Sequence, residues 1–237
     1  MKIKAFGFSD IGIKRPNNED AWLSLPEKRF FALADGMGGH NAGEVASKET
    51  ISSLRLLAEE KFGSTPFSKE LITLLENAFH EANQRVWMLG QKNKEYYGMG
   101  TTLCVLYLYK DAVIYAHVGD SRIYRYRKKE IILLTEDHIH TNTAKRRILT
   151  RAIGTSSKTT PAIASASAIK GDIFFMCSDG LTDFVSELEI EEILKKSRSL
   201  KKAVFRLIEK AKEKGSNDNI TILMIKVARD GRKNLSR

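Results

Sequence analysis

The chain has 237 residues, 42% of them hydrophobic and 29% charged, with 39 Lys+Arg against 29 Asp+Glu for a net charge of +10. That composition is globular, and no apolar run is long enough to cross a bilayer. The lysines are spread along helix-like segments without interleaved aromatics, which argues against a nucleic-acid surface.

Residues 3–8 alternate as an edge strand does, and residues 21–25 form a second strand. Between them Arg15-Pro16-Asn17-Asn18-Glu19-Asp20 reads as a loop. After an apolar run at 30–34, the spacing of Ala42, Val45, Ala46, Ile51, Leu54 and Leu57 predicts a helix over 43–62, stopped by Gly63 and Pro66. Leu71, Leu74, Leu75, Ala78, Phe79, Ala82, Val86 and Leu89 predict a second helix, whose stripe is core packing. Runs at 103–109, 113–118, 122–127 and 131–134 are joined by short links, so one antiparallel meander is expected. Residues 135–151 read as a loop with one helical turn. Strands are expected at 161–169 and 172–177, and Ser186 with Glu189 forms a capping-box pattern ahead of a short helix. Leu200, Ala203, Val204, Leu207, Ile208 and Ala211 mark another helix, residues 220–227 the last strand, and residues 229–237 a basic, frayed tail. With no repeat or composition break, residues 1–228 are expected to form one α+β domain, with two antiparallel sheets packed together and helices outside.

Acids recur at the ends of these strands. Asp35 ends the run at 30–34 and is followed by Gly36, Gly38 and Gly39; since a helix follows instead of a strand, the Asp-Gly is a strand-to-loop-to-helix junction and not a hairpin. Asp179 ends a second apolar run in the same way, Asp120 follows residues 112–119, Asp218 precedes residues 220–225, and Glu19-Asp20 precedes residues 21–23. Acids gathered this way, with no Cys/His cluster, suit a hard cation with oxygen ligands such as magnesium or manganese. Arg15 is either a plain surface cation or a fork for a phosphate. His40 and His80 read as surface or cap residues, His117 and His138 as structural ones. Cys104 and Cys177 lie inside apolar strands as core thiols, and with no apolar signal region at the N-terminus this predicts a cytoplasmic protein.

Taken together, Arg15–Asp20, Asp35-Gly36-Met37-Gly38-Gly39, Gly100-Thr101-Thr102, Val118-Gly119-Asp120-Ser121-Arg122, Leu134-Thr135-Glu136-Asp137-His138, Leu149-Thr150-Arg151-Ala152-Ile153-Gly154, Ser178-Asp179-Gly180-Leu181 and Asp218-Asn219-Ile220-Thr221 resemble the type 2C family of metal-dependent protein serine/threonine phosphatases. Each motif is weak alone, but their joint order covers the chain almost end to end. The resemblance implies a four-layer α-β-β-α sandwich with two Mn2+ or Mg2+ ions in a cleft. It implies that Asp35 bridges both ions, that the Gly36 carbonyl helps hold one, and that Asp179 and Asp218 complete the other. By the same pattern Glu19 acts through ion-bound water with Asp20 behind it, Asp120 with Asp179 marks a weaker third ion, and Arg15 holds the substrate phosphate. Water then attacks the phosphoester in line, without a covalent intermediate. The implied partners are phosphorylated Ser/Thr proteins and a cognate kinase, for a monomeric enzyme.

Two departures stand out. Met37 occupies the place where some relatives carry His, so no side chain is assigned as general acid. The flap between Asp137-His138 and Leu149 is short, and Arg146 with Arg147 is expected to compensate by attracting phosphorylated or acidic sequences. Two rival readings are a phosphohydrolase for a small phosphoester and a non-catalytic phosphoprotein-binding relative; retention of all the acids argues against the second.

Overall fold

The structure, a computed structural model, describes residues 2–38, 42–63, 69–141 and 147–228. In chain order its elements are β1 (Lys2–Asp10), β2 (Asp20–Leu25), β3 (Phe30–Met37), α1 (Ala42–Lys61), α2 (Lys69–Lys92), β4 (Gly100–Thr101), β5 (Leu103–Tyr109), β6 (Ala112–Val118), β7 (Arg122–Arg127), β8 (Glu130–Leu133), β9 (Ile139–Thr141), β10 (Arg147–Leu149), β11 (Ala162–Ser167), β12 (Ile173–Cys177), α3 (Asp179–Thr182), α4 (Glu187–Lys196), α5 (Leu200–Glu213) and β13 (Ile220–Ala228). The tail at 229–237 and His40 lie outside the described residues.

Strand alternation builds the layers. In β3, Phe30, Ala32 and Ala34 face α1 and α2, where they meet Leu54, Phe62, Leu75 and Phe79. The intervening Phe31 and Leu33 face the other way and join Leu106, Phe174, Met176, Leu223 and Ile225 between two sheets. On the far side Phe175, Cys177, Ile222 and Met224 pack against Ile190, Val204, Leu207 and Ile208 of α4 and α5. The result is the expected α-β-β-α sandwich. One sheet runs β1-β13-β12-β7-β8, the other β11-β6-β5-β3-β2 with β4 added to β3. Each large apolar side chain taken wholly out of water contributes roughly 1.5–3 kcal/mol, so strands apolar on both faces have no exposed alternative.

The expected meander is corrected. β5 and β6 pair in one sheet and β7 and β8 in the other. The free edge of β6 is taken by β11, while β7 pairs with β12. An alternation apolar on both faces says that a strand is covered twice, not which sheet it joins. The link at 119–121 therefore crosses between sheets. Gly119 makes that crossing with φ +105°, and a Cβ there would lie 2.6 Å from Thr102 Cγ2.

Residues 135–151 also differ from expectation. In place of a helical turn, β9 and β10 form an antiparallel ribbon pairing Ile139 with Leu149 and His140 with Ile148. The helix predicted after Ser186 is present with both capping-box bonds. The one-turn α3 directly after Cys177 had no sequence counterpart, being too short for periodicity to reveal.

Candidate metal centre

The antiparallel registers bring the strand ends with acids to one edge of the sandwich. Asp20, first residue of β2, sits opposite Asp35 near the end of β3. β3 continues past Asp35 through Gly36 and Met37 because these pair with Thr101 and Gly100 of β4. Asp35 is thus held inside a strand and not in the loop expected beyond it. Its backbone N–H donates to Thr102 Oγ1 at 3.0 Å, and its carbonyl accepts from Thr101 Oγ1 at 2.8 Å and Thr102 N at 2.8 Å. Asp120 rides on the crossing link, Asp179 opens α3, and Asp218 precedes β13.

These residues share one cavity of about 380 Å3, lined by Arg15, Glu19, Asp35, Gly36, Met37, Gly38, Thr102, Asp120, Arg147, Leu149, Asp179, Asp183 and Asp218. Seven of the eight residues assigned from the resemblance line it. Asp20 is the eighth and lies buried behind the wall, where its Oδ2 accepts from Thr221 Oγ1 at 2.6 Å and Ser178 Oγ at 2.9 Å. Ser178 stands at the N-cap of α3 without capping it by its side chain: its oxygen accepts from Thr221 N at 2.9 Å while its hydroxyl donates to Asp20. Arg15 donates to Asp218 Oδ2 at 2.7 Å and lies 3.8 Å from Glu19 Oε2. The Glu19 backbone is fixed by Asn219, whose Oδ1 accepts from Glu19 N at 2.8 Å and whose Nδ2 donates to the carbonyls of Ile11 and Asn17.

Ser178, Thr221, Asn219 and Thr102 are supporting residues to which sequence reasoning gave no role, although each lies inside a recognised motif. Asp183 was missed entirely. His117 and His138 are structural, as expected: their rings stack at 4.5 Å, Nε2 of His117 bonds the Glu136 carbonyl, and Nδ1 of His138 accepts from Gly119 N. Arg147, its side chain 34% exposed, turns its guanidinium onto acids of the cavity. It donates to Asp183, and to Asp120 and Asp137 at 3.2 and 3.4 Å. Arg146 lies outside the described residues.

The electrostatics are those of crowded acids. Burial, then the charges of Asp20, Asp179, Asp218 and Asp120, hold the Asp35 carboxyl well above the usual carboxylate range. Burial and Asp120 push Asp179 up to about 7, and burial raises Asp20 to about 6 against its hydroxyl donors. Glu19 is raised by burial although Arg15 opposes the shift. A folded state that holds protons more tightly than the unfolded chain loses stability as pH rises. The ion-free protein is therefore expected to lose the stability these carboxyls contribute as pH rises from about the usual 3.8, through about pH 7 for Asp179. One unit of differential proton affinity is about 1.4 kcal/mol, or roughly 3–6 °C in a chain of this size. A melting temperature in chelator that rises steadily from pH 5 to pH 8 would contradict the arrangement.

The donor set fits a hard cation. It is oxygen only, it carries excess negative charge, and the buried Asp20 Oδ1 has no hydrogen-bond partner. Among the described residues no three metal-capable side chains converge on one point.

Comparison with known proteins agrees with this geometry. The profile of the family "Protein phosphatase 2C" matches residues 13–223. The serine/threonine phosphatase Stp of Listeria welshimeri is 34% identical over 92% of this chain and 93% of its own. The crystal structure of the Mycobacterium tuberculosis serine/threonine phosphatase PstP/Ppp superposes with a TM-score of 0.86 at 31% identity, covering 96% of this chain and 99% of that one. A PstP catalytic domain in complex with two manganese ions gives 0.84 at 33% identity, with coverages of 96% and 99%. The chain belongs to the protein phosphatase 2C family.

Proposed function

We propose that this protein removes phosphate from phosphoserine and phosphothreonine in proteins, using two divalent ions, manganese or magnesium, held at the shared edge of its two sheets. The observation that carries the reading is the single cavity in which six acids, Glu19, Asp35, Asp120, Asp179, Asp183 and Asp218, face two arginines. A phosphomonoester carries roughly two negative charges at pH 7, and such a cavity repels it until cations are added. When bound, a pair of divalent ions supplies that charge and lowers the pKa of water to within reach of neutrality.

The chain's own residues divide the remaining work. Asp35 and the Gly36 carbonyl would hold the ions from β3, and Asp179 and Asp218 would hold them from the other sheet. Glu19 would orient water beside the ions, and Asp20, fixed by Ser178 and Thr221, keeps the β2 side of the centre in register. Asp120 lies where a third, weaker ion would sit. Among the described residues the cavity lining contains no Ser, Cys or His, and Thr102, the one hydroxyl among them, is engaged with Ser121 Oγ at 2.7 Å. In this reading the attacking oxygen is that of water. Its bond to phosphorus forms as the ester P–O bond breaks, and the serine or threonine alcohol departs with a proton.

Arg15 stands at the mouth, its side chain 42% exposed and anchored on Asp218 and Glu19, where its fork can pass to two phosphate oxygens. Hydrogen bonds to a charged group are worth about 1.5–3 kcal/mol. Arg15→Ala is expected to lower kcat/KM about 10- to 100-fold, mostly through KM, while manganese affinity changes little. A kcat effect with KM unchanged would remove Arg15 from substrate binding.

Residues 1–228 as one catalytic domain, a monomeric state, a cytoplasmic location and opposition to a cognate Ser/Thr kinase belong to the same proposal. The direct test is phosphate release from a phosphothreonine peptide and an aryl phosphate, each with manganese and with chelator. Manganese-dependent release from the peptide is expected. Release from the aryl ester alone would point to small phosphoesters, and release from neither would overturn the reading.

A further inference from the structure

Arg147 enters the cavity from β10 and touches acids on three separate segments. Asp120 lies on the crossing link between the sheets, Asp137 precedes β9, and Asp183 follows α3. The guanidinium donates to Asp120 Oδ2 at 3.2 Å, to Asp137 Oδ2 at 3.4 Å and to Asp183. Asp137 already has a full partner, because Arg122 holds both its oxygens at 3.0 and 2.8 Å. Among the described residues, Arg147 is then the cation in ion-pair contact with Asp120 and Asp183.

Asp120 is 8% exposed, and a charge so placed needs a partner. The partner could be an ion or a side chain, but the same oxygen cannot fully serve both. We propose that Arg147 is a built-in counter-cation for Asp120 and Asp183, taking the place of a third ion and leaving the chain a two-ion centre. The proposal rests on the two-ion reading above. It also explains why Arg147 is not free to recruit acidic substrates: its planar fork is spread over carboxylates that face the same cavity. A third cation would have to displace the guanidinium, so occupancy of that position and the Arg147 contacts are mutually exclusive and weaken each other equally.

The test is a count of bound manganese by electron paramagnetic resonance of the free ion, titrated into native protein, Arg147→Lys, Arg147→Gln, Asp120→Asn and the Asp120→Asn/Arg147→Gln double variant. Native protein and Arg147→Lys should bind two ions. Arg147→Gln should acquire a third, with affinity for it improved roughly tenfold or more, within the range usual for coupled sites. The double variant should lose that extra ion, whereas Asp120→Asn alone should leave the native count unchanged. Superimposable titrations of native protein and Arg147→Gln would overturn the proposal, as would a fall in count on making Asp120→Asn in the native background. The second comparison needs no Arg147 variant and holds even if Arg147→Gln folds poorly. Native protein that binds no manganese would sink the two-ion reading itself, a result distinct from either.

Discussion

Asp35→Asn is expected to lower phosphate release by at least about a hundredfold while making the ion-free protein more stable. The two effects have one cause. Asp35 faces Asp20 across the β2–β3 pair, and the charges of Asp20, Asp179, Asp218 and Asp120 all hold its carboxyl above the usual range. Without cations the ionised side chain is therefore a repulsive centre, and an amide removes that repulsion. With cations the same charge is what binds them. Ion-borne stabilisation of transition-state charge is worth several kcal/mol, at about 1.4 kcal/mol per factor of ten. Paired measurements check both parts: peptide turnover with manganese, and melting temperature in chelator at pH 8. Loss of activity together with a lower ion-free melting temperature would mean that Asp35 is a structural residue of β3. A trade of stability for function of this kind is common where charges are concentrated for chemistry.

Gly36→Ala should be as damaging for a different reason. A Cβ at this position would lie 2.2 Å from the Gly43 carbonyl oxygen and 2.5 Å from that of Glu19. Both are backbone atoms, one at the start of α1 and one next to β2, and Gly36 N already donates to Glu19 O at 3.1 Å. No side chain can swing aside, so β3 must separate from α1 or from Glu19. Overpacking of this kind typically costs about 1–3 kcal/mol and can cost more; with two backbone clashes the upper end is expected, a fall in melting temperature of roughly 6–12 °C. Activity should fall with it, because the displaced atoms include those that position Glu19 and Asp35. Gly90→Ala in α2 is the control. Its Cβ would approach nothing closer than the Tyr96 carbonyl at 3.1 Å, and the helix gains propensity by roughly 1 kcal/mol. Equal losses in the two variants would show that the tight approach at Gly36 is not what holds this edge together.

Much of this was legible in the chain before any coordinates. The helical stripes marked α1, α2 and α5, the bounds expected for α1 lying one residue from those observed, and Ser186 with Glu189 announced α4, because capping and a 3.6-residue period are local signals. The acids of the centre could be named because each ends or begins an apolar run next to Gly or Asn. What could not be read was partnership over long separations. Nothing in the local pattern of β6 and β7 says that consecutive strands lie in different sheets. The bonds from Ser178 and Thr221 to Asp20 span 158 and 201 residues, and only the assembled register brings them together. The partners of Arg147 were hidden for the same reason. In sequence it is one of two adjacent arginines in a polar loop, which reads as a solvated, substrate-attracting pair. In the fold, β10 pairs with β9 and turns its guanidinium onto Asp120 and Asp183.

The most direct test is anomalous diffraction at the manganese edge from crystals of the native protein grown with the ion. Two peaks are expected inside the cavity bounded by Glu19, Asp35, Asp179 and Asp218, with Asp35 adjoining both and none against Asp120. No peak in that cavity, or peaks only on carboxylates outside it, would contradict a two-ion centre built from the ends of the strands.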